Sequence, residues 1–246
     1  MRRQTMAMVL TAVALLPFAV GCEEKAKTGP KQSDSRTFEF SGDRLKVVGI
    51  EADVQIDVGS GSGIQVSRTV RGEVAKGSGW SMKDGVLTLK AVCGGVVLDC
   101  SAKYSVKIPS ATAVELEGSG SSIKVSGLRE GLTARLRADA SLRAEKCSGT
   151  MRVTSDGGDI TVSRSSSARL TATAANDGNI KLAFDAAPRQ VVARTYGGSI
   201  TVVVPGTETY RVDAKGDGGD RLRSDPSSSR TITAIANDGR VVVRRK

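Results

Sequence analysis

Apolar and polar residues alternate with period two through most of this chain, and the alternation restarts after the same short turn again and again. "DGGDITV" (156–162), "NDGNIKL" (176–182), "YGGSITV" (196–202), "DGGDRLR" (217–223) and "NDGRVVV" (237–243) each join a glycine turn to a short run of strand-forming residues. One glycine per copy serves as an anchor. These are Gly158, Gly178, Gly198, Gly219 and Gly239, at spacings of 20, 20, 21 and 20 residues. Degenerate copies, "SGSSIKV" around Gly120 and "DASLRAE" around Ala140, extend the array, so it runs from about residue 111 to 246.

Aligning the copies exposes columns. Met151, Thr171, Val191, Val212 and Ile232 lie seven residues before the anchor, and Val153, Thr173, Ala193, Ala214 and Ala234 five before it. Ile160, Ile180, Ile200, Arg221 and Val241 lie two after it, and Val162, Leu182, Val202, Arg223 and Val243 four after it. The pattern predicts two short strands per repeat with one face apolar. A unit of this size cannot bury that face alone, whereas stacked units share one thin core. The expected fold is all-β, a single-stranded β-solenoid (β-helix-like) with rungs of about 20 residues. In this reading the anchor glycines supply positive φ at a corner where a Cβ would crowd the next rung. An antiparallel meander or sandwich of hairpins is the alternative, and the regular spacing favours the solenoid. Arg221 and Arg223 fall in core columns, where unpaired guanidinium groups are prohibitive. A one-residue bulge after Gly219 is therefore expected, with Leu222 turned inward.

Residues 37–108 also read as strands, most clearly in "ADVQIDVGSGSGIQVSRTV", "DGVLTLKAV" and "YSVKIP", but without a clear phase. They form the irregular N-terminal part (37–108) of one domain, 37–246, whose regular repeats occupy 111–246.

The N-terminus differs in kind. "MRRQTMAMVLTAVALLPFAVGC" has a basic start at Arg2 and Arg3 and an apolar stretch, Met6 to Val20, too short for a comfortable transmembrane span. Its end, "AVGC", resembles a bacterial lipobox, with Ala19 where leucine is usual. Residues 1–21 then form a lipoprotein signal peptide, Cys22 carries the lipid, and 22–36 form a polar, flexible tether. An ordinary secretory signal cleaved nearby is the alternative. Both place the domain outside the cytoplasm, and the first anchors it to the bacterial cell membrane.

Cys93 and Cys100 lie close together in "AVCGGVVLDCSAKY", where a Gly-Gly turn can join them, and an exported chain keeps disulfides. A metal site is the alternative, but the chain has no histidine. Cys147 is left over and reads as a small buried hydrophobe. No cofactor or metal is expected. The formal charge of +10 comes from scattered basic residues without interleaved aromatics, which argues against nucleic acid. If that charge has a partner, it is an anionic cell-envelope polymer, a lipid headgroup or another surface protein.

With these features the chain resembles a bacterial family of exported proteins labelled DUF4097 and described as adhesins. The likeness rests on the "DGGDITV"-type unit, the terminal "ANDGRVVVR" and the segment "CGGVVLDCSAKYSVKIPSATAVELEGSGSSIKV" (93–125), and it spans most of 37–246. It implies a β-helical, envelope-facing protein, and it implies no activity. The functional expectation is a non-catalytic adhesin, scaffold or envelope-sensing module. The alternative is a carbohydrate-active lyase or hydrolase, whose chemistry needs convergent carboxylates. Asp156 and Asp159, with Asp217 and Asp220 three rungs away, are the acids available, and turn aspartates more often serve local hydrogen bonds. "KGDGGDRLR" (215–223) has part of a calcium-binding nonapeptide, without the tandem turn such sites use. Trp80 reads as an end cap or a contact residue.

Overall fold

The computed structural model describes residues 31–71, 78–91 and 101–246. The leader, Cys22, Cys93 and Cys100 lie outside the described residues. The described chain is all-β, with 19 strands and no helix among those residues. The N-terminal part holds β1 (Gln32–Phe38), β2 (Arg44–Ile50), β3 (Asp53–Val58), β4 (Ile64–Arg71), β5 (Gly79–Lys83), β6 (Val86–Lys90) and β7 (Ser101–Ile108). The array follows with β8 (Ala113–Ser119), β9 (Ser122–Ser126), β10 (Gly131–Arg137), β11 (Ser141–Glu145), β12 (Thr150–Ser155) and β13 (Ile160–Ser165). It ends with β14 (Arg169–Ala174), β15 (Ile180–Phe184), β16 (Gln190–Thr195), β17 (Ile200–Val204), β18 (Arg211–Asp217) and β19 (Thr231–Arg245). β1 takes in Gln32 to Arg36, part of the stretch read as tether, as an exposed outer strand.

From β8 to β15 each strand pairs in parallel with the strand two further along, so the chain alternates between two ladders. Ile160, Ile180 and Ile200 stand in register in one ladder, and Leu170 pairs with Val191 in the other. Among the described residues antiparallel pairing is confined to β1–β4, β4–β7 and β5–β6, so the repeats are not hairpins. Apolar side chains from Phe38 to Val243 form one continuous buried cluster between the ladders.

At both ends the stacking departs from chain order. β2 and β3 lie between the later pair β6 and β7 and the array's first pair, β8 and β9. At the other end β19 crosses both ladders and pairs with β16 and β17 on one side, leaving β18 outermost. The rung order is therefore Gly198, Gly239, Gly219, where the sequence implied Gly198, Gly219, Gly239. β18 shows why. It follows an apolar-poor segment, and its inward Val212 and Ala214 are only half buried. The "TITAIANDGRVVV" strand, with Ile232, Ala234, Val241 and Val243 all buried, makes the better interior rung.

Three further expectations are corrected. In the Gly178 copy the buried residues are Leu170 and Ala172, in register with Met151 and Val153, and Thr171 and Thr173 point outward. The turn before Gly178 is one residue longer than its neighbour, which shifts the column. Second, Gly158, Gly178, Gly198 and Gly239 do not have positive φ, and of the anchors only Gly219 does, at 122°. The others are needed for close approach. A Cβ on Gly178 would lie 2.6 Å from the Gly158 carbonyl oxygen, and one on Gly198 or Gly239 would press on the carbonyl of the rung beneath. Third, the register slips between Lys215 and Asp217, ahead of Gly219 rather than after it. Arg221 and Arg223 are nonetheless exposed, and Leu222 packs half buried against the core.

Buried hydroxyls satisfy the corner carbonyls that no strand partner reaches. Ser155 Oγ donates to Gly158 O at 2.8 Å, Thr195 Oγ1 to Gly178 O at 2.9 Å, and Ser167 Oγ to Gly149 O at 2.7 Å.

Candidate functional site

The acids picked from the sequence do not converge. Asp156 and Asp159 flank the Gly158 corner, and the rung order puts Asp217 and Asp220 four rungs away rather than three, on the order of 19 Å along the stack. Asp159 has a structural task. Its Oδ1 accepts from the backbone N of Asn179 at 2.8 Å and from Asn179 Nδ2 at 3.1 Å, and Asn179 Oδ1 in turn accepts from Ser199 N at 3.1 Å. This polar ladder ties three successive corners together. At "KGDGGDRLR" the Gly216 carbonyl accepts from an Arg221 guanidinium at 2.7 Å. No group of three potential metal-binding side chains forms among the described residues.

Cys147 is buried, with its thiol donating to Glu145 O at 3.4 Å, and burial raises its pKa above the usual thiol value. It packs as the small hydrophobe expected. Trp80 sits on β5, half buried and tilted against Tyr104 with ring centroids 6.2 Å apart, beneath the Arg68 guanidinium. Tyr104 donates to the carbonyls of Lys90 and Gly79 at 2.8 and 3.0 Å, joining β7 to the strands of the other ladder. Trp80 belongs to this end cap.

The basic residues, scattered in the sequence, are gathered by the fold. Arg169 begins β14, Arg189 immediately precedes β16, Arg230 immediately precedes β19, and Arg211 begins β18. In rung order these are four successive rungs along one corner. Arg169 pairs with Gln190, Gln190 with Thr231, and Thr231 with Arg211. An open groove there is lined by Arg169, Arg189, Gln190, Ser229, Arg230 and Thr231. Arg230 is fixed by donating to the Ala187 and Pro188 carbonyls, both at 3.1 Å, with Glu208 3.6 Å from its Nε. Among the described residues no carboxylate lies within ion-pair distance of Arg169, Arg189 or Arg211. A signal for this corner was present: Arg169, Arg189 and Arg230 each stand nine residues before an anchor glycine. The placement of Arg230 beside Arg189 follows only from the β19 insertion.

No family model and no curated relative matches the chain. Among solved structures it is similar to a candidate adhesin from Bacteroides fragilis NCTC 9343, with 16% identity and a TM-score of 0.54 over 87% of this chain and 97% of that one. It is also similar to two proteins from Parabacteroides distasonis ATCC 8503. One is named a candidate adhesin (18% identity, TM-score 0.45, 89% of this chain and 98% of that one), the other a candidate lipid-binding protein (16%, 0.44, 86% and 96%). At these identities the likeness to the Bacteroides structure shows the fold alone.

Proposed function

We propose that this chain is a β-solenoid of the DUF4097 type, held at the bacterial cell membrane by lipid on Cys22, and that it acts as a non-catalytic adhesin, scaffold or sensing module. The observation that carries the reading is the unbroken parallel stacking from β8 to β19 around one core, with the turn aspartates Asp156, Asp159, Asp217 and Asp220 spread along the axis. Such a stack presents long, regular outer faces, and a repeat protein typically uses extended faces of this kind for binding. The name given to the Bacteroides fold neighbour agrees with a surface role. A lyase or hydrolase would need carboxylates facing one another across a cleft, whereas Asp159 commits its Oδ1 to the next corner.

The anchoring part is tested by Cys22→Ala. The variant is expected in the soluble fraction, or uncleaved, while the parent partitions with membranes. A variant processed and retained like the parent would remove Cys22 from the account. Non-reducing peptide mapping tests the bridge that would staple the N-terminal part: a Cys93–Cys100 link is expected, and either residue linked to Cys147 would overturn it.

A further inference from the structure

We propose that the corner carrying Arg169, Arg189, Arg230 and Arg211 binds a linear anionic glycan laid along the stack axis. The inference rests on the surface-module reading and gives that surface a location and a ligand class. Neighbouring parallel strands repeat at roughly 4.8 Å, so the corner offers cationic forks at steps that a polymer with an oxyanion on each sugar can follow. Guanidinium groups suit this task because their planar donors pair with carboxylate or sulfate in two-point fashion. Between them, Gln190, Ser229 and Thr231 line the same groove with neutral donors and acceptors of the kind that engage sugar hydroxyls.

Arg230 has its Nη1 on two backbone carbonyls and its Nε facing Glu208, the one carboxylate within ion-pair distance of it among the described residues, so it adds a fixed charge through Nη2 while Arg169 and Arg189 supply the free forks. A membrane surface fits less well. Tyr196 is the one large hydrophobic side chain strongly exposed among the described residues, and it stands beside the Gly198 corner, not in this groove. The arginine corner therefore lacks the apolar wedge that strengthens interfacial binding.

The test uses the full-length chain in detergent micelles. Binding is measured to polygalacturonate, to chondroitin sulfate, to neutral dextran and to vesicles containing phosphatidylglycerol. The parent is expected to bind at least one of the two polyanions and not dextran. Arg169→Ala with Arg189→Ala should weaken that binding at least about tenfold, and so should Arg169→Gln with Arg189→Gln, which keeps side-chain bulk should the alanine pair fold poorly. The control is Arg143→Ala with Lys181→Ala, which removes two exposed charges from the other ladder and should change affinity less than about twofold. Equal losses in the two double variants would mean net charge alone, and would overturn the proposal. So would a parent that binds neither polyanion, or one that binds only the vesicles. Those results leave the Cys22 experiment untouched, so failure of the glycan site and failure of the anchored-module reading are separable. If chondroitin sulfate binds and polygalacturonate does not, the site selects sulfate over carboxylate.

Discussion

The middle of the stack and its two ends solve the same packing problem differently. From β10 to β17 the rungs follow chain order, each core position is fully buried, and glycine corners nest on the carbonyls below. At the ends the order is interleaved, with β2 and β3 slotted in behind β6 and β7, and β19 slotted in ahead of β18. An interior rung is covered above and below, so its apolar residues gain full burial, whereas a terminal rung leaves one side to solvent. The chain accordingly places its apolar-rich "TITAIANDGRVVV" segment inside and leaves β18, with Asp213, Lys215 and Asp217 among its residues, as the outer strand. At the C-terminal end relative burial overrides sequence adjacency; at the N-terminal end β6 and β7 are covered in turn by β5 and β4, and Leu87, Leu89, Tyr104 and Val106 are as buried as the core residues of β2 and β3.

The largest effect is expected from a charge in the middle. Ile180 is fully buried with Ile160 and Ile200 in register on either side, so Ile180→Asp should prevent folding, seen as loss of the cooperative denaturation transition. Ile180→Ala should cost about 2–5 kcal/mol by chemical denaturation, and Val212→Ala on the half-buried end strand only about 1 kcal/mol. Equal losses at the two sites would erase the distinction between middle and end.

Gly198→Ala should cost about 3 kcal/mol, because the new Cβ meets the Gly178 carbonyl, a backbone group that cannot swing aside. Gly206→Ala has open space around it and only a left-handed φ of 70° to tolerate, so about 1 kcal/mol is expected. Tyr210, fully buried near the β18 end, has a hydroxyl with no hydrogen-bond partner among the described residues. Tyr210→Phe should therefore leave the denaturation midpoint unchanged or raise it.

The smallest effect concerns pH. Lys46 Nζ donates to Glu117 Oε1 at 2.8 Å across β2 and β8, and this bond holds the Glu117 carboxyl below its ordinary value. A carboxyl depressed in the folded state stabilises above its unfolded pKa, and that contribution is lost as pH falls through the folded value. Glu117→Gln should flatten the acid limb of stability slightly and leave neutral stability nearly unchanged, since the pair is only half buried and is screened by solvent. A steeper acid limb in the variant would contradict the sign.

Much of the middle was legible because period-two alternation and a fixed glycine spacing are local properties. The Ile160, Ile180 and Ile200 column could be read directly, and Thr161 and Thr201 turn outward beside it. The Leu170 and Ala172 column could not, because one extra turn residue shifts the phase and Thr171 and Thr173 serve equally well in strands. The role of the anchor glycines was half legible. That glycine is required shows in the repeat, but close approach and positive φ leave the same mark on a sequence, and only the backbone distinguishes them. The interleaved C-terminal end was not legible, because the competition between β18 and β19 for the interior is decided by relative burial, and the N-terminal interleaving joins strands whose phase the sequence does not show. The arginine corner was legible in part, from the shared nine-residue spacing of Arg169, Arg189 and Arg230 to their glycines, but Arg230 reaches Arg189 only through that exchange.

The exchange itself can be tested by oxidative cross-linking. Val192 and Thr233 are register partners on the outer face of β16 and β19, and Thr233 is also the partner of Asp213 on β18. Adjacent parallel positions lie within disulfide reach and positions two rungs apart do not. Val192→Cys with Thr233→Cys should therefore form a bond on mild oxidation, found by non-reducing peptide mapping, while Val192→Cys with Asp213→Cys should not. A bond between 192 and 213 with none between 192 and 233 would mean that the rungs stack in chain order and that the account of the ends is wrong.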